Sequence, residues 1–445
     1  MATKPKTTRK SKAGAAPPLN TLSASEAARG IAAGAFTSEA LVGACLKQIE
    51  EREPAVRAWA FIDPGYALRQ ARELDREFKE NGPRGPLHGV PVGIKDVIDT
   101  ADMPTQMGSS IYDGHRPKAD AACVAMMRRA GAVILGKTVT CELAGVAPRE
   151  TMNPLDPQRT PGGSSSGSGA AVADFHVPVA FGTQTGGSVL RPASFCGVIG
   201  YKPTYNLINR AGLKFAAEGV DTIGFIGRTV EDMALVADAC VARPHAAVGK
   251  RATPPRIGLC RTFLWDEKAQ PETKAAVDQA ARRAERAGAS VIPFELPAEF
   301  TKLTGVRDTV NNYERAMGLA WEWDHHRDQL SPQMARTVEQ GLAAGHAGYV
   351  AAVQHADHCR RALDEVIARF DILLAPAVNG EAPLGLDYAG DPAFQALWTL
   401  LHVPTMTLPL ARGPHGMPVG VQLVAGRHAD RKLLDVATWM METEA

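Results

Sequence analysis

In SASEAARGIAAGAFTSEALVGACLKQIEER, residues 23 to 52, apolar positions recur at intervals of three and four, which predicts two helices with Gly34 between them. Ser23 and Ser38 are the expected N-caps, because a serine hydroxyl can accept from the free amides of a first helical turn. A third helix is expected after Asp63, through YALRQARELDREFKE, and Asn81-Gly82-Pro83 should end it. The texture then changes. LHGVPVGIKDVIDT, AVILGKT, VPVAFGTQT and GVIGYKP are short β-branched runs punctuated by glycine and proline, and AACVAMMRRAGA between two of them has helical spacing. RIGLC, SVIPFEL, FDILLAP and PTMTLPL continue the strand series, while residues 271–369 read mainly as helix. Strands alternating with helices indicate an α/β architecture with a largely parallel or mixed sheet. No repeat and no long linker follows residue 20, so residues 21–445 are expected to form a single domain.

A chain of 445 residues, 45% hydrophobic and 22% charged, is long enough to bury a substantial core. The formal net charge of +1 hides an asymmetry. Residues 1–20 hold Lys4, Lys6, Arg9, Lys10 and Lys12 and no acid, so the remainder carries 44 basic against 48 acidic groups, a net −4. That balance argues against a nucleic-acid surface on the folded part. The basic segment reads as a disordered tail, without the apolar stretch of a secretory signal, and no run approaches the roughly 18 apolar residues of a membrane span. Seven scattered cysteines with no Cys-x-x-Cys suit a reducing cytoplasm and supply no zinc framework.

Three stretches could carry chemistry. TPGGSSSGSGAAVA contains Gly163-Ser-Ser-Ser-Gly167, a literal match to a nucleophile elbow centred on Ser165, but the preceding NPLDPQRTP is no buried strand. His355 and His358 have a helical spacing that can bind metal, with His325 and His326 nearby; without a third ligand of the right chemistry they read as surface histidines. Lys95 ends the apolar run GVPVGIK, and is either a surface lysine that snorkels or a buried amine whose charge is disfavoured. Beyond these, GTQTGGSVLRPASFCG places Ser188 behind two glycines, with no histidine evident to take its proton.

Taken together, Gly93-Ile94-Lys95-Asp96, the Gly-Gly-Ser-Ser-Ser-Gly run and Gly182-Thr-Gln-Thr-Gly-Gly-Ser-Val-Leu-Arg-Pro resemble the amidase signature family of serine hydrolases. The likeness continues through FCGVIGYKPT, DTIGFIGRTVEDMALVADA, FDILLAPAV and GMPVGVQLV, and covers about residues 20 to 440. It implies a large mixed β-sheet covered by helices on both faces, and a Ser-Ser-Lys triad in place of Ser-His-Asp. On this resemblance Ser188 is the nucleophile, Ser164 the bridging serine behind a cis peptide bond, and Lys95 the base. Thr185, Gly186 and Gly187, with Ser188, offer backbone N–H groups to an oxyanion. Arg191 is either structural or a guanidinium at the pocket wall that binds a substrate carboxylate or carbonyl. Two positions depart from the family's pattern: Ser166 stands where glycine is usual, and Gln184 where aspartate is often found.

The leading expectation is a cytoplasmic, stand-alone hydrolase that cleaves the C–N bond of carboxamides through an acyl-enzyme. It needs no metal or organic cofactor, binds neither nucleic acid nor membrane, and takes a small-molecule amide or carbamate as its partner. Aryl amides and carbamates (urethanes) are expected among the substrates. That preference rests on Met103, Pro104, Met107, Ile111 and Tyr112 after Lys95, and on Tyr313, Met317, Leu319, Trp321 and Trp323 as a roof. The alternative is the amidase subunit of a tRNA-dependent amidotransferase complex. The sequence leaves a homodimer open.

Overall fold

The computed structural model describes residues 17–145, 147–249, 251 and 253–443. Most of the basic tail, with all five of its cations, lies outside the described residues. Among the described residues eleven strands form one sheet: β1 (Trp59–Ile62), β2 (Pro91–Lys95), β3 (Val133–Thr138), β4 (Val179–Gln184), β5 (Ile199–Lys202), β6 (Thr222–Gly227), β7 (Arg256–Leu259), β8 (Ser290–Pro293), β9 (Ile372–Pro376), β10 (Thr405–Arg412) and β11 (Pro418–Val424). Their order is β1-β3-β2-β4-β6-β5-β10-β11-β9-β7-β8. β2 runs parallel to β3 and β4, and β7 parallel to β8 and β9, while the remaining pairs are antiparallel. This is the large mixed sheet expected, with helices covering both faces.

The helical starts follow the caps with one shift. Ser23 Oγ accepts from Glu26 N at 3.1 Å and Glu26 returns the bond to Ser23 N at 2.9 Å, a complete capping box for Ala24–Ala32. The next helix, Ser38–Val56, is capped by Thr37 instead of Ser38, whose amide donates to Asp75 at 2.7 Å. The helix expected after Asp63 is Pro64–Asn81, and Asp63 caps it. β1, β6 and β11 are not among the strands read in the sequence. TIGFIG is buried along its whole length, and Gly224 is required there: a Cβ on it would stand 2.6 Å from the Tyr201 carbonyl oxygen of the neighbouring strand. The long helical stretch is real, and its last helix, Pro332–Ile367, breaks at Gly345, where φ is 65°.

This topology assembles one corner of the molecule. β2 and β4 are parallel neighbours, so Lys95 and Gln184 leave the sheet at the same edge. The chain leaving β3 holds the serine-rich loop there: Gly167 N donates to Val139 O at 3.0 Å and Cys141 N to Ser164 O at 3.0 Å.

Candidate active site

Lys95 is wholly buried, so the snorkelling alternative falls away. Its Nζ lies 2.8 Å from Ser164 Oγ, 2.8 Å from Thr183 Oγ1 and 3.4 Å from Thr183 O. Its hydrogen-bond partners are thus neutral oxygens. Loss of hydration therefore dominates and pulls the ammonium down to about 7, with Cys141 and Asp221 opposing that fall only in part. An amine brought down to about 7 is partly uncharged at neutral pH.

The Gly163–Ser164 peptide is cis. Ser165, the centre of the elbow-like match, is fully buried; its Oγ accepts from Thr183 N at 3.3 Å and its amide donates to Ser188 O at 3.2 Å. It ties the serine loop to β4 and to the Ser188 turn, and it does not line the cavity at Ser188. Ser166 begins the helix Ser166–Ala173, with its hydroxyl 3.4 Å from Val139 O.

Ser188 follows the turn Thr185-Gly186-Gly187 and opens onto a cavity of about 530 Å³. The amides of Gly186, Gly187 and Ser188 donate to no other group among the described residues. Side chains crowd the turn: a Cβ on Gly186 would lie 2.7 Å from Arg307 Nη2, and one on Gly187 2.2 Å from Gln395 Oε1. Gln184 explains how the chain manages without aspartate. Its Oε1 accepts from Val189 N at 2.9 Å and Leu190 N at 3.0 Å, capping the helix Leu190–Cys196, while Nε2 donates to Thr399 Oγ1 at 3.0 Å. Thr399 in turn donates to Gly186 O at 2.7 Å. The Thr185 hydroxyl donates to buried Asp221, which also accepts from the amides of Ala216 and Ala217.

Arg191 is buried and committed to the backbone. Its Nε and Nη2 donate to Gly163 O, and Nη1 donates to Gly390 O at 2.6 Å. It lines the cavity edge while anchoring the peptide that carries Ser164.

The expected apolar roof does not line this cavity. The helix Leu303–Gly318 turns Arg307, Asn311 and Arg315, spaced by four, toward Ser188, which leaves Tyr313 and Met317 on another side. Those two line a separate cavity of about 730 Å³ with Tyr205, Phe215 and Tyr349. Met103 and Met107 fill the core, the Tyr112 hydroxyl bonds Glu322, Trp321 is half exposed, and Trp323 lies under the Arg327 guanidinium, 3.9 Å from its ring centre. Arg315 is buried, with Nη1 donating to Leu143 O at 2.9 Å, and burial pulls its guanidinium down to about 10. Sequence reasoning missed Thr183, Asp221, Arg307 and Arg315. A polar stripe Arg-x-x-x-Asn-x-x-x-Arg in a helical segment is the signal that could have found the last two.

The histidines lie elsewhere. His355 Nε2 lies 3.0 Å from Glu299 O, His358 stands 3.8 Å from the Glu299 carboxylate, and His325 lies 2.9 Å from Trp321 O. Among the described residues no group of three or more His, Cys, Asp or Glu is placed to hold a metal ion, and no helix is long and apolar enough to cross a membrane.

Comparison with known proteins agrees with this arrangement. The profile of the family described as Amidase matches residues 40–434. The chain belongs to the amidase signature family. Hydrolysis of C–N bonds is the reaction class of that family. Among curated relatives, a glutamyl-tRNA(Gln) amidotransferase subunit from Oleidesulfovibrio alaskensis is 34% identical over 93% of this chain and 95% of that protein. The corresponding chloroplastic/mitochondrial amidotransferase subunit from Zea mays is 31% identical over 91% of this chain and 85% of that protein. Among solved structures, the peptide amidase of Stenotrophomonas maltophilia superposes with a TM-score of 0.80 at 30% identity, over 96% of this chain and 98% of that one. A structure described as an amidase reaches 0.87 at 28% identity, over 95% and 99%.

Proposed function

We propose that this amidase-family chain hydrolyses a small carboxamide by acyl transfer to Ser188, with Lys95 as base and Ser164 as proton relay. The observation that carries the reading is the buried Lys95 amine, uncharged in part at neutral pH and 2.8 Å from Ser164 Oγ. In the relay, neutral Lys95 takes the Ser164 proton as Ser164 takes that of Ser188, and Ser188 Oγ attacks the carbonyl carbon. The amides of the Gly186-Gly187-Ser188 turn receive the oxyanion, a role worth about 2.7–4 kcal/mol per donor in acyl-transfer sites. The relay then returns the proton to nitrogen, ammonia or an amine leaves, and water cleaves the ester by the same path. The polar lining supports carboxamides over the aryl amides and carbamates expected from the sequence. Ammonia release from a panel of carboxamides tests the reading. Ser188→Ala should reduce it by about a thousandfold or more, and a variant retaining a tenth of the rate would refute the nucleophile.

The curated relatives favour one setting for this chemistry: the amidase component of an amidotransferase, in which nitrogen freed at Ser188 passes to an acceptor held by partner chains. In that setting the chain assembles with other proteins. Light scattering of the purified chain, alone and co-expressed with candidate partners from its own genome, decides this. A free-standing protein with full amide turnover and no co-purifying partner would return it to the stand-alone hydrolases.

A further inference from the structure

β4 and β6 are antiparallel neighbours, and Gln184, the last residue of β4, stands opposite Thr222, the first of β6. One step beyond that pair the ladder brings Thr185 alongside Asp221. The Thr185 hydroxyl donates to Oδ1 of Asp221, while the amides of Ala216 and Ala217 donate to Oδ2. Both Thr185 and Asp221 are buried.

The donors that converge on this carboxyl group are a hydroxyl and two amides, and an amide cannot accept a hydrogen in return. Burial pushes the group up, whereas the hydrogen bonds from Thr185, Ala216 and Ala217 and the charge of Arg315 oppose that rise. Such a set suits the anion. A buried anion whose hydrogen bonds all come from neutral groups is costly, and this one stands directly behind the turn that carries Ser188. In that turn Gly186 and Gly187 have no side chain, and the Ser188 hydroxyl is the proposed nucleophile. Thr185 is left as the residue whose side chain can tether the turn, and Asp221 is what it is tethered to.

We propose that ionised Asp221 is a positioning residue for the reaction: through Thr185 it holds the turn Thr185-Gly186-Gly187-Ser188 in the form that receives the oxyanion. This rests on Ser188 being the nucleophile and on that turn being the oxyanion site. The oxyanion exists only after attack, so loss of the tether falls on kcat and leaves KM nearly unchanged. A second effect comes from charge. Asp221 is the carboxylate among the groups whose charges act on Lys95, the others being the Cys141 thiol and the Arg191 and Arg315 guanidinium groups. An anion there favours the ammonium, so its removal moves the Lys95 limb to lower pH.

Thr185→Val removes the hydroxyl and keeps the shape. It should lower kcat for propionamide by about a hundredfold with KM changed by less than about threefold, and Thr185→Ser, which restores the hydroxyl, should recover most of the rate. Both variants carry the test without touching the buried carboxylate. Asp221→Asn should cost as much as Thr185→Val, and the double variant no more than either alone, because each breaks the same link. Only Asp221→Asn should shift the limb of kcat/KM to lower pH. Phenylboronic acid, whose boron takes the Ser188 oxygen to become a tetrahedral anion, should bind Thr185→Val at least about tenfold more weakly than the wild type. That measurement needs no turnover, and the melting temperature of each variant shows that it is folded. A kcat for Thr185→Val within about threefold of the wild type, or a loss confined to KM, would overturn the inference. So would additive losses in the double variant or a limb unmoved in Asp221→Asn. Undiminished turnover in Ser188→Ala would overturn the nucleophile and this inference with it; an inactive Ser188→Ala beside an unaffected Thr185→Val would overturn this inference alone.

Discussion

Thr183 brackets the Lys95 amine, with Oγ1 at 2.8 Å and its carbonyl oxygen at 3.4 Å. A neutral amine has two N–H bonds and one lone pair. If Thr183 receives both N–H bonds, the lone pair is left facing Ser164 Oγ, as the proposed relay requires. Thr183→Val keeps the shape and removes one acceptor. That acceptor favours the charged amine, so its loss should move the rate limb to lower pH while the maximal rate falls by about tenfold or more. An unchanged pH profile and rate would show that Thr183 does no more than fill space.

The second expectation is the limb itself. Because burial brings Lys95 to about 7, kcat/KM should rise with pH through about 7 and level off above it, as the base becomes neutral. Lys95→Arg cannot lose its proton in this range and should be inactive on carboxamides throughout. A rate that falls as pH rises from about 6 to about 8 would remove Lys95 from the role of base.

Gln184 is expected to matter for stability as well as rate. Gln184→Ala leaves the amides of Val189 and Leu190 without their acceptor and Thr399 Oγ1 without its donor, all in a dry environment. The cost should be on the order of 2–3 kcal/mol, read as a lower denaturation midpoint with an unchanged slope. A midpoint within error of the wild type would mean that water replaces the side chain.

Gly187→Ala tests the proposed oxyanion turn by crowding it. The added methyl would overlap Gln395 Oε1, so the Gln395 side chain, the turn or the helix Ala393–Leu400 must shift. A displaced turn should cost about a hundredfold in kcat. Adding Gln395→Ala removes the obstacle and should restore part of the loss; no recovery would place the damage in the turn's own backbone conformation.

Much of the architecture is legible because its signals are local. The Ser23-x-x-Glu26 box, Asp63 before Pro64 and the β-branched runs of β2, β3 and β4 each announce themselves within a few residues. β1, β6 and β11 are missing from the strands read in the sequence, and neither shortness nor complete burial alone accounts for it, since four-residue β5 and fully buried β2 are read. The roof of the site failed on orientation. Tyr313 and Met317 share a helix with Arg307, Asn311 and Arg315, and periodicity shows both stripes without saying which one faces Ser188.

From the sequence, the reaction class came through the resemblance of the lysine run, the serine-rich loop and the Gly-Gly-Ser turn to the amidase signature family, which the family match bears out. Only the tertiary structure lowers the pKa of Lys95, since hydration depends on what packs around an amine from distant parts of the chain. It likewise decided that Arg191 braces Gly163. A guanidinium's role depends on which acceptors the fold brings within about 3 Å, and those lie on segments remote in sequence.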